Sequence, residues 1–411
     1  MKPTRNILHH SAARPYICTN CLSRTVQIKP KPHSSSQQYS TTKTSNPPKP
    51  PAQGYSLLPS RRILSLTGSD ATHFLQGAIT ANISSSTTNP RLNTGFYAAF
   101  LNAQGRLLND VFIYKDWREE VDSKWGTGKG SEGWLVEVDA NEVETLAKHV
   151  KKYKLRGKFD IRVLSPEEVG VWSIWGEDTE KEGWTAHSLG GTESQGDEAG
   201  IRKGGEIGCE DSRAPGMGRR LLLPGNKKPE LEMKESTEDA YRIRRYLKGV
   251  PEGQNELVRE SALPQESCVD FMGGIDYRKG CYVGQELTIR THHTGVVRKR
   301  VLPIMIYGQD DIMPTSLEYD PEKVYGLEQI PRETSIGRFE KKGRSAGKFL
   351  TGVGNIGLGL CRLETMTDVQ VQGAAGGYKE GDEFKLEWET EGSAPKMVKV
   401  KAFVPSWHLK Q

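Results

Sequence analysis

The period of apolar positions changes several times along this chain, and each change marks an element. Ile63-Leu64-Ser65-Leu66 reads as a strand. The next apolar residues, Ala71, Phe74, Leu75 and Ala78, fall at i, i+3, i+4 and i+7, one face of a helix, with Ser69 or Asp70 ahead of them as N-cap. Residues 95–101 and 106–114 are apolar runs of strand length joined by the turn Asn102-Ala103-Gln104-Gly105. Asp110 interrupts the second run, so its carboxylate either faces solvent or is buried and functional. Residues 134–138 form another strand. Asp139 and Glu142 then open a helix with the stripe Val143, Leu146, Ala147 and Val150 and lysines at its end, which suits the helix dipole. Strands follow at 159–164 and 169–175, and order returns at 211–215 and 219–224. Ser236 and Asp239 start a helix with Ala240, Ile243 and Leu247 inward, stopped by Gly249 and Pro251. Strands alternating with helices predict an α+β fold with mixed or antiparallel sheets.

Three stretches lose this patterning. Residues 116–132, 176–210 and 308–350 are rich in polar residues and glycine and read as surface insertions. From 301 to 411 the pattern predicts a separate C-terminal β-rich domain. Within it, Gly352, Gly354 and Gly357 match the bare dinucleotide pattern G-x-G-x-x-G. No helix-forming stretch follows and no βαβ unit surrounds it, so a strand with close backbone packing is the better reading.

Charge changes the picture at the N-terminus. Residues 1–52 carry eight lysines and arginines and no acid; the first acid is Asp70. The formal charge of the 411-residue chain is +5, and that leader contributes +8, which leaves the remainder at −3. The basic character therefore belongs to the leader and does not suggest nucleic-acid binding by the rest. An acid-free, Arg-containing, Ser/Thr-rich start resembles a mitochondrial transit peptide. Pro47, Pro48, Pro50 and Pro51 add an extended linker, so 1–53 reads as transit peptide and linker and 54–300 as the first folded region. Cys18 and Cys21 lack a second ligand pair and are expected to leave with the leader. The six cysteines are too scattered for a disulfide framework. Mean hydropathy is −0.61, and no apolar run is long enough to cross a bilayer.

The chemistry concentrates in residues 276–300, D-Y-R-K-G-C-Y-V-G-Q-E-L-T-I-R-T-H-H-T-G-V-V-R-K-R. One thiol, Cys281, stands between Gly280 and Gly284. Lys279 precedes it, and Tyr282, Gln285 and Glu286 complete the motif. Glycines permit a tight turn and close approach of another surface. Neighbouring cations favour thiolate, the form that binds metal. The plainer reading is a β-hairpin turn with a small buried cysteine.

K-G-C-Y-V-G-Q-E followed by the basic tail resembles the signature of the folate-binding YgfZ-type proteins. It is closest to their mitochondrial branch of iron–sulfur cluster assembly factors. That family shares its fold with the aminomethyltransferase (GcvT, or T-protein) of the glycine cleavage system. F-L-Q-G (74–77), Y-R-I-R-R-Y-L-K-G-V-P-E-G (241–253), L-P-Q-E-S (263–267), G-N-I-G-L (354–358) and V-P-S-W (404–407) also resemble it. The family asparagine after L-P-Q-E-S is Cys268 here. The resemblance implies a GcvT/YgfZ-like multi-domain fold with a C-terminal β-barrel-like domain. It implies tetrahydrofolate or a related folate near Asp110, although the fuller acidic pattern of the transferases is reduced here to G-R-L-L-N-D. It also implies A-type scaffold proteins as partners, in a mitochondrial matrix setting with no nucleic acid or membrane, for a chain that is a monomer alone. Cys281 then becomes one ligand of a transient iron–sulfur cluster shared with a partner, with His292 and His293 as auxiliary candidates. Two readings remain: a non-enzymatic assembly factor for [4Fe–4S] proteins, and a tetrahydrofolate-dependent aminomethyltransferase.

Overall fold

The computed structural model describes residues 46–83, 95–116, 133–176, 207–225, 227–339, 343–373, 377–389 and 394–409. The leader with Cys18 and Cys21, and nearly all of the insertions at 116–132 and 176–210, lie outside the described residues. Part of the proline linker lies within them. Tyr319 donates a hydrogen bond to the Pro47 carbonyl, and Trp175 Nε1 donates to that of Pro51 at 3.1 Å. An extended proline run leaves its carbonyls free to accept, and this part of the expected extended linker lies against the folded chain.

Strand β1 (Gly54–Leu57) lies at the edge of one sheet. The chain then builds a second sheet from β2 (Arg61–Thr67), β3 (Phe96–Leu101), β4 (Leu107–Lys115), β5 (Gly133–Asp139) and β6 (Asp160–Val163). It returns to the first with β7 (Val169–Trp175), β8 (Ile207–Glu210) and β9 (Arg219–Pro224). The strand orders are β1-β7-β9-β8 and β3-β4-β5-β2-β6, with every pair antiparallel.

Helices α1 (Ala71–Ala78) and α2 (Val143–Lys154) pack on the five-stranded sheet. Alternation along the strands divides its side chains between two cores. Leu64, Leu66, Val111, Ile113, Val136 and Val138 pack with Leu75, Leu146 and Val150 of the helices. Ile63, Phe112, Tyr114 and Leu135 point the other way and pack with Val171, Trp175, Cys209 and Leu222 of the four-stranded sheet. Strand β4 is thus buried on both faces, and Asp110, on the same side as Phe112, has no solvent face to occupy.

The caps differ in detail from the sequence reading. Asp70 is the N-cap of α1, but its carboxylate accepts from the Lys158 amide at 2.7 Å instead of capping. Helix α3 (Glu238–Lys248) is capped by Thr237, whose hydroxyl accepts from Ala240 N at 3.3 Å, and not by Ser236. Thr237 is the extended residue directly before the first turn, which is where a cap must stand. Gly249 at φ +71° ends α3 in the left-handed conformation.

Between the two sheets lies a buried ion network. Arg61 Nε donates to Glu137 at 2.9 Å and its Nη1 to Asp110 at 3.3 Å. Tyr114 donates to Glu137 at 2.7 Å, and Arg220 reaches the same carboxylate at 3.2 Å. Arg213 pairs with Asp211 at 2.7 Å and with Glu252 at 2.8 Å. Glu252 also receives Arg220, and the Tyr241 hydroxyl at 2.8 Å. Arg245 pairs with Glu256 at 2.7 Å. The segment V-P-E-G after α3 delivers Glu252 to this cluster and the Gly253 amide to Asp110 at 3.0 Å. Buried charges are tolerated only when paired and hydrogen-bonded in this way.

The third unit is a closed barrel. Strands β10 (Lys299–Tyr307), β11 (Ser335–Arg338), β12 (Gly347–Val353), β13 (Ile356–Arg362), β14 (Phe384–Trp388) and β15 (Lys396–Ala402) close in the order β10-β13-β12-β11-β14-β15. Strand β11 lies inside 308–350 and β12 begins there, so that stretch is not a simple insertion. Ile336 and Phe349 fill the barrel, and β11, Ser335–Arg338, has Ile336 as its one large apolar side chain, so it leaves little apolar signal. The G-x-G-x-x-G segment forms the β12–β13 hairpin, turning at Gly354 with φ +60°. After the barrel, Trp407 Nε1 donates to the Lys248 carbonyl at 3.0 Å and ties the C-terminal segment to the end of α3.

Burial opposes the charge on Glu252, but Arg220, Arg213, Arg245 and Arg61 together hold its carboxyl well below the usual carboxylate range. A depressed folded-state pKa contributes stability above the unfolded value, lost as pH falls through the folded one. Glu252→Gln is expected to destabilise the fold by about 3 kcal/mol in urea unfolding at pH 7, because it strands buried guanidinium groups. The deficit should shrink as pH falls below about 4, where Glu in the unfolded chain is protonated too.

Candidate functional site

The last carbonyls of a helix have no partner within it. At the end of α1, the Lys279 ammonium supplies one from elsewhere in the chain. Its Nζ donates to the carbonyls of Gln76 at 2.7 Å, Ile79 at 2.6 Å and Ala81 at 3.0 Å. An ammonium has three hydrogens, and all three are placed; a cation here also suits the negative end of the helix dipole. Burial pushes the Lys279 pKa down to about 7, with Asp276 pulling the other way.

The segment after Lys279 is fixed again four residues on. Val283 N donates to the Gly77 carbonyl at 3.0 Å. Tyr282 is buried, its ring 4.8 Å from the Lys279 nitrogen and its amide donating to Gln285 Oε1 at 3.1 Å. Gly284 has φ +80°, and a Cβ there would overlap the Asn102 carbonyl. A Cβ on Gly105, at the end of that same turn, would stand 2.9 Å from the Gly284 carbonyl. Two glycines thus let the β3–β4 turn seat against the signature, and only hydrogen fits at either. Gly280 differs: a Cβ there would meet nothing within 4 Å, so no packing demands its identity.

Cys281 lies between these anchors and is exposed. The other described cysteines, Cys209, Cys268 and Cys361, are buried, and burial pushes all three thiols up. The expected β-hairpin is not formed: Gly284 is the N-cap of helix α4 (Gln285–Thr294), with Glu286 exposed in the first turn. The expectation that Lys279 acts on the thiol is also revised, since its ammonium is committed to three carbonyls on the α1 side. Tyr277 stacks on His292 at 3.7 Å, and His293 meets His292 edge-on at 4.9 Å. Both imidazoles sit at the far end of α4 from Cys281.

L-P-Q-E-S locks α4 to the barrel. Gln265 Nε2 donates to the Thr288 carbonyl at 2.7 Å, and Arg300 Nη1 donates to the Gln265 carbonyl at 2.7 Å. Cys268 has φ +60°, a conformation asparagine adopts readily and cysteine does not. Its buried thiol, pushed up to about 12 chiefly by burial, donates to the Val301 carbonyl at 3.4 Å. It is a structural thiol, remote from solvent.

Asp110 is brought into no such setting. It is fully buried, bonded to Arg61 and the Gly253 amide, and burial raises its pKa against the pull of Arg61. A cleft of about 400 Å³ between α4 and the barrel is lined by Phe271, Tyr277, His292, Val296, Arg300 and His408. A second, of about 240 Å³, is bordered by Arg106, Glu266, Lys299 and Lys348. Asp110 lines neither. The motif at 241–253, which sequence reasoning noted only as a resemblance, provides Tyr241, Arg245, Glu252 and Gly253 to the ion network. Its density of arginines beside a P-E-G turn is the signal that marks it.

Comparison with known proteins places this geometry in context. The family described as CAF17, C-terminal beta-barrel domain, matches residues 298–410. The chain is 46% identical to the mitochondrial iron–sulfur cluster assembly factor IBA57 homolog of Aspergillus fumigatus, over 95% of this chain and 89% of the relative. It is 46% identical to that of Pyricularia oryzae, over 98% and 95%. The corresponding Neurospora crassa protein is 40% identical over 97% and 89%. Among solved structures, the glycine cleavage system aminomethyltransferase T from Bartonella henselae superposes with a TM-score of 0.54 at 12% identity. It covers 87% of each chain, a likeness of fold alone.

The Lys279 anchor has a pH signature. Its folded-state pKa lies below the ordinary lysine value, so between about 7 and about 10 the unfolded chain binds more proton and stability rises with pH. Lys279→Met removes that slope. The stability advantage of the wild type over Lys279→Met should therefore be larger at pH 9 than at pH 7 in urea unfolding. An equal difference at both would mean that the three carbonyls keep Lys279 protonated through pH 9 and offset its desolvation.

Proposed function

The chain belongs to the IBA57 family of mitochondrial iron–sulfur cluster assembly factors, and from that premise we propose that it acts with A-type scaffold proteins in the mitochondrial matrix, in the maturation of [4Fe–4S] proteins. The observation that carries this reading is the exposed Cys281 thiol, held on a short segment pinned at Lys279 on one side and at Val283 and Gly284 on the other. A thiol placed in this way is available to a second surface, whereas the other described thiols are enclosed. The fold's outer architecture supports the same reading by supplying a rigid seat: α1 below, the β3–β4 turn beside, and α4 leading away.

Iron–sulfur clusters normally take four ligands, mostly cysteine thiolates. Among the described residues, no three His, Cys, Asp or Glu side chains converge as a metal site. Cys281 then contributes one ligand to a cluster that is cargo, and the partner contributes the rest. Ligation releases the thiol proton, and the chain is a monomer until a loaded partner arrives.

The folate expected near Asp110 does not fit the arrangement of these residues. A ligand reaches that carboxylate only if Arg61 or the Gly253 amide gives way, and we derive no step through it. Aminomethyl transfer needs acid–base groups within hydrogen-bonding reach of the substrate. Asp110, the candidate for that work, is committed to the ion network, so the assembly-factor reading is preferred to the transferase one.

Two measurements check this. Cys281→Ser keeps the side chain's size and removes the soft ligand. The variant should fold normally and fail to form the coloured complex that the wild type gives with an A-type scaffold protein loaded with iron and sulfide; equal cluster absorbance would make Cys281 structural. Asp110→Ala should lower stability by about 3 kcal/mol while leaving affinity for reduced folate unchanged. A large loss of folate affinity in a folded Asp110→Ala protein would reinstate that residue as a ligand group.

A further inference from the structure

The surface around Cys281 has a charge pattern of its own. In this chain most buried guanidinium groups are paired: Arg61, Arg213, Arg220, Arg245 and Arg300 all meet carboxylates. Arg278, Arg290 and Arg298 are exposed, and among the described residues their side chains have no ion-pair or hydrogen-bond partner. The Tyr277–His292 stack at 3.7 Å holds the residue before Arg278 against the end of α4. Val296 and Arg298 follow directly after that helix. Between residues 277 and 298, Glu286 is the sole carboxylate. Two aliphatic side chains break this basic surface, Val283 at 44% exposure and Val296 at 37%.

We infer that the face running from Cys281 along α4 is a docking surface for an acidic protein surface, with Arg278, Arg290 and Arg298 meeting partner carboxylates while Val283, near Cys281, and Val296, past the far end of α4, make the apolar contacts. Unpaired guanidinium groups suit carboxylates because they offer a planar fork of donors. Complementary charge steers encounter and fixes orientation, which a single shared ligand cannot do. The valines favour a protein over a polyanion, since phosphate backbones gain nothing from aliphatic contacts. The net charge of −3 outside the leader points the same way: the basic surface is local. This inference rests on the A-type scaffold reading and adds to it the character of the partner's face.

The test uses the full chain and a recombinant A-type scaffold protein, both without cluster, so that docking is read apart from ligation. Affinity is measured by fluorescence anisotropy for the wild type, for the triple variant Arg278→Gln, Arg290→Gln, Arg298→Gln, and for Cys281→Ser. The wild type should bind and weaken as salt rises from about 50 to about 300 mM. The triple variant should bind roughly tenfold more weakly and lose most of that salt dependence. Cys281→Ser should dock as the wild type does, because it alters no charge. Equal affinity of wild type and triple variant would overturn the inference and leave the partner reading standing. No binding by the wild type would overturn both. Tighter binding to a DNA duplex or to phosphatidylserine vesicles than to the scaffold, lost in the triple variant, would assign the face to a polyanion and overturn the inference.

Discussion

A half-buried ammonium with three hydrogens and three carbonyl acceptors sets the position of the exposed thiol. Lys279 reaches the end of α1 from 200 residues later in the chain, and the segment that follows it has little freedom left. Its nitrogen closes a helix end that would otherwise leave carbonyls unpaired. Its neighbour Tyr282 is buried against it, and Gly284 is locked to the β3–β4 turn. Four residues between two anchors can present a side chain with little entropy left to lose on binding, which is what a shared ligand needs.

The seat itself is held by a second constraint. The two sheets face each other across charges as well as across apolar side chains, and Glu252 neutralises guanidinium groups that arrive from different strands and helices. Such networks give little net stability over a hydrophobic equivalent, but breaking one member is costly. Asp110 belongs to this network, bonded to Arg61 and to the Gly253 amide. A shared fold does not carry a shared chemistry; the site has to be argued from its own groups.

Much of the fold was legible from periodicity. The stripe Val143, Leu146 and Val150, the strand at 169–175 and the turn at 102–105 all stand as their patterns require. Strand β11 was not legible, because Ile336 is its one large apolar side chain and the strand looks polar in a window of residues; the start of β12 was hidden by the polar run before it. The position of Cys281 was legible as chemistry but not as geometry. Glycines on either side suggested a hairpin, whereas Gly284 begins a helix and Gly280 is under no packing demand. Lys279 looked like an activator of its neighbour because proximity in sequence is visible and the end of a helix 200 residues away is not. The ion pairing of Asp110 was not legible for a related reason: an acid in an apolar strand gives no sign of which buried arginines wait opposite it.

The account turns on one atom, the sulfur of Cys281, becoming a ligand. It is tested most directly by labelling the chain with 13Cβ-cysteine and recording the spectrum of its cluster-loaded complex with an A-type scaffold protein. Contact with the cluster's iron displaces a ligand's carbon resonance far from its ordinary position. The account predicts that the Cys281 Cβ signal moves in this way while those of Cys209, Cys268 and Cys361 stay where they are in the free protein. A complex with the Cys281 signal in its free position, or with a buried cysteine shifted instead, would contradict it.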